Sequence, residues 1–316
     1  MNEQRFFFEE LKSRVGNVQL AHKIAETLDI GEDAAYRRLR GDTELSYSEI
    51  RKLAIAFTIS MDDIMGLPSP YRKESFSLFN QDYFNLGEKD FRMSEDYIAS
   101  IKIAAGNPQS VFGIATNTMP LHTRVLYPPL FKFFILKWMY LFGDLDKATP
   151  YSKIRIPERL LELHKNYSRE ITKIRYTYII YQEDALDYII KDIHYFHEIR
   201  LLSDDDVEEL KNCLIKSTDN IEKTIIDRSF PNGNKVDFYV SELHFESSYA
   251  YLTYNNLTIS MIDAFTTGSI TSLNNGAGAI MKKWMLALKK TSTILSGSEK
   301  NRIAFIDKQR KLIGSL

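Results

Sequence analysis

Helix starts and stops are written closely along the first 67 residues, and that punctuation constrains the fold more than any other feature of the chain. One helix is predicted from about Glu3 to Arg14. "NVQLAHKIAETL" follows, with Asn17 as N-cap and Leu20, Ile24 and Leu28 on one face. "IGEDAAYRRLRGD", residues 30–42, is short and ends at Gly41. In "SYSEIRKLAIAF" the three-residue spacing of Ser46 and Glu49 is a capping box, and Ile50, Leu53, Ala54 and Phe57 form the stripe behind it. "SMDDIM" repeats the device with Ser60 and Asp63. The segment therefore reads as five short helices sharing one apolar core.

Charge makes the third of these helices unusual. The chain carries 41 Lys+Arg against 42 Asp+Glu. Residues 1–67 hold nine basic and twelve acidic side chains, 9 − 12 = −3, whereas a nucleic-acid-binding module is usually basic. Yet Arg37, Arg38 and Arg40 crowd onto about one helical turn. The bland account is a solvated helix in which Asp33 and Arg37 pair at i,i+4 while Glu32 and Asp33 complement the helix dipole.

Residues Ala21–Gly41 resemble the helix-turn-helix of the Cro/λ-repressor-like (XRE) transcription regulators, and the likeness continues through "SYSEIRKLAIAFTISMDDIM". Ala25 stands where that family needs a small residue, Asp29 where the turn needs left-handed backbone, Ile30 at the apolar site after the turn, and Gly41 at the closing cap. The resemblance covers about a fifth of the chain and implies that the second helix enters the DNA major groove. One position departs: the family's late apolar site falls on Arg38, with Leu39 following. Two registers are open, burying Leu39 with either Ala35 or Tyr36. In both, Arg37 points outward at about 100° per residue, Arg40 lies on or near that face and Arg38 on a flank. The expected DNA-binding residues are thus Arg37 first, then Arg40, with Arg38 toward phosphate. Tyr36 faces the groove in the first register only, and Asp33 lies beside Arg37. Arginine suits the task because its planar fork donates two hydrogen bonds to guanine O6 and N7.

"GLPSPYRKES" breaks the helical pattern with two prolines and a glycine, so residues 68–75 are expected to be a linker. Residues 76–228 read as mostly helical, "SVFGIATNT" being a candidate strand, and form an expected dimerisation and effector region. Residues 229–316 read as α+β, with strands in "KVDFYVSELHF" and "SYAYLTYNNLTISMIDAF". The expected fold class is mainly α: a five-helix λ-repressor-like domain plus a larger α-rich α+β region with a small antiparallel sheet.

Cys213 is the only cysteine, which excludes an internal disulfide and a cysteine-clustered metal site. The most apolar run, "LFKFFILKWMYLF", is short and holds Lys132 and Lys137, so no membrane span is expected and a cytoplasmic location fits. "HYFHE" sets His194 and His197 one turn apart beside Glu198, but a metal needs a third ligand and chance amphipathic spacing explains the pair better. His22, His122, His164 and His244 are scattered and suggest no triad. "NNGAGA", residues 274–279, has Met281 where a dinucleotide fingerprint requires glycine, and no Walker lysine follows, so it reads as a helix start. Aromatic density in "FSLFNQDYFNLGEKDF", "RYTYIIY" and "FYVSELHFESSYAYLTY" suits core or dimer packing, with a ring-lined pocket as the alternative. The expectation is a sequence-specific transcription regulator with no catalytic constellation, metal or assigned cofactor. Its partners would be double-stranded DNA, a second copy of the chain and a small-molecule, peptide or protein effector. The rival readings are an interaction module of antitoxin or phage-regulator type and an enzyme with a DNA-binding head.

Overall fold

The structure is a computed structural model that describes residues 4–16, 19–57, 59, 76–145 and 148–316. Asn17, Ser60, Asp63 and the linker 68–75 lie outside the described residues, as does the fifth helix expected from "SMDDIM".

Four helices build the described part of the head: α1 (Gln4–Val15), α2 (Leu20–Leu28), α3 (Glu32–Arg40) and α4 (Tyr47–Ala56). Their core gathers Phe7, Phe8, Leu11, Leu20, Ile24, Leu28, Ala35 and Leu53, with Leu39, Ile50 and Phe57 packed against it. The predicted capping box is formed: the Glu49 backbone amide donates to Ser46 Oγ at 3.3 Å and the Ser46 amide donates to Glu49 Oε2 at 2.8 Å. Two donors that α4 would otherwise leave open are thereby satisfied.

The described residues from 76 onward fold around one mixed sheet of eight strands, ordered β1-β7-β6-β5-β2-β3-β4-β8. The strands are β1 (Ser77–Phe79), β2 (Val111–Thr116), β3 (Tyr176–Gln182), β4 (Lys235–Ser241), β5 (Tyr249–Tyr254), β6 (Leu257–Ala264), β7 (Gly268–Ser272) and β8 (Thr293–Ile294). β2, β3 and β4 run parallel, and the remaining pairings are antiparallel. This corrects the expected fold class: the architecture is α/β on a large mixed sheet, not mainly α with a small antiparallel one. The boundary drawn between residues 228 and 229 runs through the sheet, since β3 pairs with β4 along its whole length.

Parallel strands require crossovers long enough to hold helices. Between β2 and β3 the chain forms α6 (Leu121–Arg124), α7 (Pro128–Phe142) and α8 (Glu158–Ile171), and between β3 and β4 it forms α9 (Asp187–Glu198) and α10 (Asp204–Asp227). Before β2 lies α5 (Glu88–Ala105), and after β7 come α11 (Asn275–Thr291) and α12 (Glu299–Ile313). Strand alternation then sorts the side chains. Phe112, Ile114, Ile179, Tyr181, Phe238 and Leu252 meet α5, α8, α10 and α12 on one face. Ala115, Tyr178, Ile180 and Tyr251 meet Met285 and Leu288 of α11 on the other. The apolar helix α7 is enclosed by α9, α10 and the end of α12 through Phe133, Leu136, Ile193, Phe196, Leu214 and Ile313. A helix apolar all round needs such a cover. Among the described residues no helix is long and apolar enough to cross a membrane.

Candidate functional site: an exposed arginine helix and a charged cavity

In the head, α2 ends on Asp29 in left-handed conformation, φ 57°, and the Ile30 amide closes back onto Ala25 O at 3.0 Å. Gly41 at φ 81° terminates α3 in the same way, with the Asp42 amide on Arg37 O at 2.9 Å. Both stops stand where the resemblance placed them. Ala35 is fully buried, Leu39 half-buried and Tyr36 49% exposed, which selects the register that turns Tyr36 outward.

The three arginines then divide. Arg38 gives two hydrogen bonds to Glu49 Oε1, from Nε at 3.1 Å and Nη2 at 2.7 Å, and a third from Nη1 to Ala34 O at 3.1 Å. Burial opposes the Glu49 charge, but the Ser46 amide, Arg38 and the Ser46 hydroxyl outweigh it and hold the carboxyl below its usual range. Arg38 thus ties α3 to the capping box of α4. Arg40 pairs with Asp42 at 2.9 Å on the surface. Arg37 is exposed and makes no hydrogen bond or ion pair among the described residues; the Asp33 pairing allowed by its spacing is not formed, and Asp33 is likewise exposed. Removing Arg38 would leave Glu49 short of a charged partner. Arg38→Ala is expected to cost the head about 1–3 kcal/mol, seen by calorimetry as a lower melting temperature with base preference unchanged.

A second feature lies on the sheet face that carries α5, α6 and α8. A cavity of about 300 Å³ opens between that face and these helices. Its floor is Phe112, Ile114 and Thr116 of β2, Ala250 of β5, and Met261 and Asp263 of β6. Topology explains its place. The crossovers carry the chain from β2 through β3 to β4, after which β5 returns to the opposite side of β2. The carboxyl end of a strand where the order reverses is where open α/β sheets form a crevice.

The polar groups of the cavity are few and unusual. Arg124 is 3% exposed, lies 4.2 Å over the Phe134 ring, and its Nε has no hydrogen-bond partner. Asp263 opens onto the cavity, and no hydrogen bond or ion pair reaches its carboxylate among the described residues. Burial raises its pKa, and the Arg124 charge offsets only part of that. Burial also lowers His122 to about 4, and burial together with Arg124 lowers His164 to about 3, so both are neutral at pH 7. Tyr97 and Tyr167 stack above the floor at 5.8 Å.

The other sequence candidates are accounted for locally. His197 Nε2 meets Asp204 Oδ1 at 2.7 Å, His194 is exposed, and among the described residues no three His, Cys, Asp or Glu side chains are grouped to hold a metal. In "NNGAGA" the Asn274 side chain takes the Gly276 and Ala277 amides at 2.7 and 3.2 Å, the donors a phosphate would need. A Cβ on Gly278 would stand 2.6 Å from Thr258 O, so that glycine lets α11 lie against β6. Rings of the aromatic segments stand in both places: Tyr176, Tyr178 and Tyr239 surround Lys289 beneath α11, while Phe79 and Tyr249 line the cavity.

Sequence reasoning missed Arg124 and Asp263. The signal for Asp263 is the alternation in "LTISMIDA", which puts it on the face of Ile259 and Met261. Arg124 carries a weaker sign, a cation at the end of "MPLHTR" among apolar neighbours.

The molecule thus combines a helical head whose α3 presents the exposed Arg37, unpaired among the described residues, with an α/β region that holds a charged cavity. Comparison of the chain with protein-family models, with curated proteins and with solved structures finds no match in any of the three.

Proposed function

We propose that the chain is a sequence-specific DNA-binding transcription regulator of the XRE type, cytoplasmic, dimeric and without catalytic activity, whose α/β region senses an effector. The observation that carries this reading is Arg37: it stands on the exposed face of α3, free of partners among the described residues, while Arg38 is spent on fixing α3 to α4. An arginine fork held out from a rigid helix is the commonest reader of guanine in the major groove. Tyr36 and Arg40 flank it on the exposed surface, and the Arg40–Asp42 pair is weak enough to exchange for phosphate. With a net −3 over residues 1–67, few phosphate contacts are made, and affinity depends on two heads acting together.

Selection of bound sites from random duplex DNA by the full chain tests the reading. Two related half-sites about one helical turn apart are expected. Two heads with two or three phosphate contacts each give a slope of log K against log salt of roughly −4 to −5. Recovery of unrelated sequences, or of none, would contradict the assignment.

A further inference from the structure

Two opposite charges that do not pair with each other face the cavity: Arg124 is 3% exposed, whereas Asp263 is exposed where the cavity opens. Arg124 projects from α6 and Asp263 from β6, both face the same space of about 300 Å³, and neither makes an ion pair among the described residues. Keeping the Arg124 guanidinium buried without a paired carboxylate costs stability, and a well-packed apolar residue would remove that cost. Fold stability therefore gives no reason to keep an arginine at this position. A ligand does.

We propose that the cavity binds a small zwitterion, a free amino acid with an apolar or aromatic side chain, its carboxylate on Arg124 and its ammonium on Asp263. The two signs together select this class. A simple carboxylic acid would satisfy Arg124 and leave its charge facing Asp263; a simple amine would satisfy Asp263 and face Arg124. A ligand carrying both groups neutralises both. His122 and His164 are uncharged, so they add no competing cation at pH 7. The remaining wall is mostly apolar with serines and threonines interspersed, and Phe79, Met93, Ile98, Ile114, Leu121 and Met261 are placed to receive the side chain. The volume lies at the lower end of small-molecule sites. Within the regulator reading the amino acid is the effector, and only that last step rests on the proposed function. β1, the first described element after the head, supplies Ser77, Leu78 and Phe79 to the cavity wall, so an occupant touches the strand that leads back along the chain to the head.

The test is calorimetric titration of the full chain, without DNA, by L-leucine and L-phenylalanine. Each is compared with its decarboxylated amine (isoamylamine, phenethylamine) and its deaminated acid (4-methylpentanoate, 3-phenylpropionate). At least one amino acid is expected to bind at least ten-fold more tightly than both of its half-molecules. Arg124→Gln should abolish the advantage over the amine, and Asp263→Asn the advantage over the acid. Binding of an acid or amine as tight as its parent amino acid would overturn the proposal, as would failure of both amino acids to bind at millimolar concentration. The wild-type comparison decides the matter even if a variant fails to fold. Because DNA is absent, a chain that binds amino acid but no operator refutes the regulator reading and leaves this one standing; the converse result does the reverse.

Discussion

Lowering the pH from about 6.5 to about 4 is expected to strip several kcal/mol from the stability of the α/β region. His122 and His164 are held neutral in the fold, with pKa values of about 4 and about 3 against an ordinary 6.5. Burial causes both shifts, and the Arg124 charge adds to the second. For a base whose folded pKa is depressed, the unfolded chain binds more protons between the two values. Stability is therefore complete above the unfolded pKa of about 6.5 and falls as the pH drops toward the folded values. Near pH 5 both groups would be protonated in the unfolded chain and neutral in the fold. The slope then approaches two protons, on the order of 3 kcal/mol per pH unit. Urea unfolding followed by tryptophan fluorescence reads the right part of the molecule, because both tryptophans, Trp138 and Trp284, lie in the α/β region. A flat profile between pH 6 and 4.5 would show that the two rings are not buried as described.

Arg37→Ala is expected to weaken binding to a dimer operator by about 1–3 kcal/mol per half-site, twice that for the pair, and to relax preference at one base position in each half. Melting temperature should move little, because the exposed side chain makes no hydrogen bond or ion pair among the described residues. Arg37→Lys should recover little, since an ammonium cannot reproduce the two-pronged geometry of a guanidinium. The contrast with Arg38 is built into the fold. Losing Arg38 removes hydrogen bonds to Glu49 and Ala34 and so is expected to act on stability, whereas losing Arg37 is expected to act on recognition.

The head was legible in the sequence because its signals are local. Capping at Ser46 and Glu49, left-handed geometry at Asp29 and Gly41, and the stripe of Leu20, Ile24, Leu28 and Leu53 each depend on residues a few positions apart. The flank position of Arg38 was legible too, but not its use. The bond to Glu49 spans eleven residues and needs the packing of α3 on α4 to be known. The sheet was the larger failure. β2 falls in the candidate strand "SVFGIATNT", but β3 is short, buried on both faces and reads as a continuous apolar run, so it lacks the alternation that marks a half-exposed strand. "RYTYIIY" sits between helical segments, and its strand character follows from pairing with β2 and β4, from Val111 at one end to Ser241 at the other. The cavity was hidden for a related reason. Arg124 and Asp263 are 139 positions apart (263 − 124), and only the return of β5 and β6 beside β2 brings them to one space.

The central claim is that α3 reads base identity through Arg37, and binding to a panel of single-base operator substitutions at fixed salt tests it most directly. Wild-type chain should show sharp losses, about 1–3 kcal/mol, at a guanine in each half-site, and Arg37→Ala should flatten the profile at that position alone. If Arg37→Ala binds the whole panel with the wild-type profile, α3 is not the reading helix.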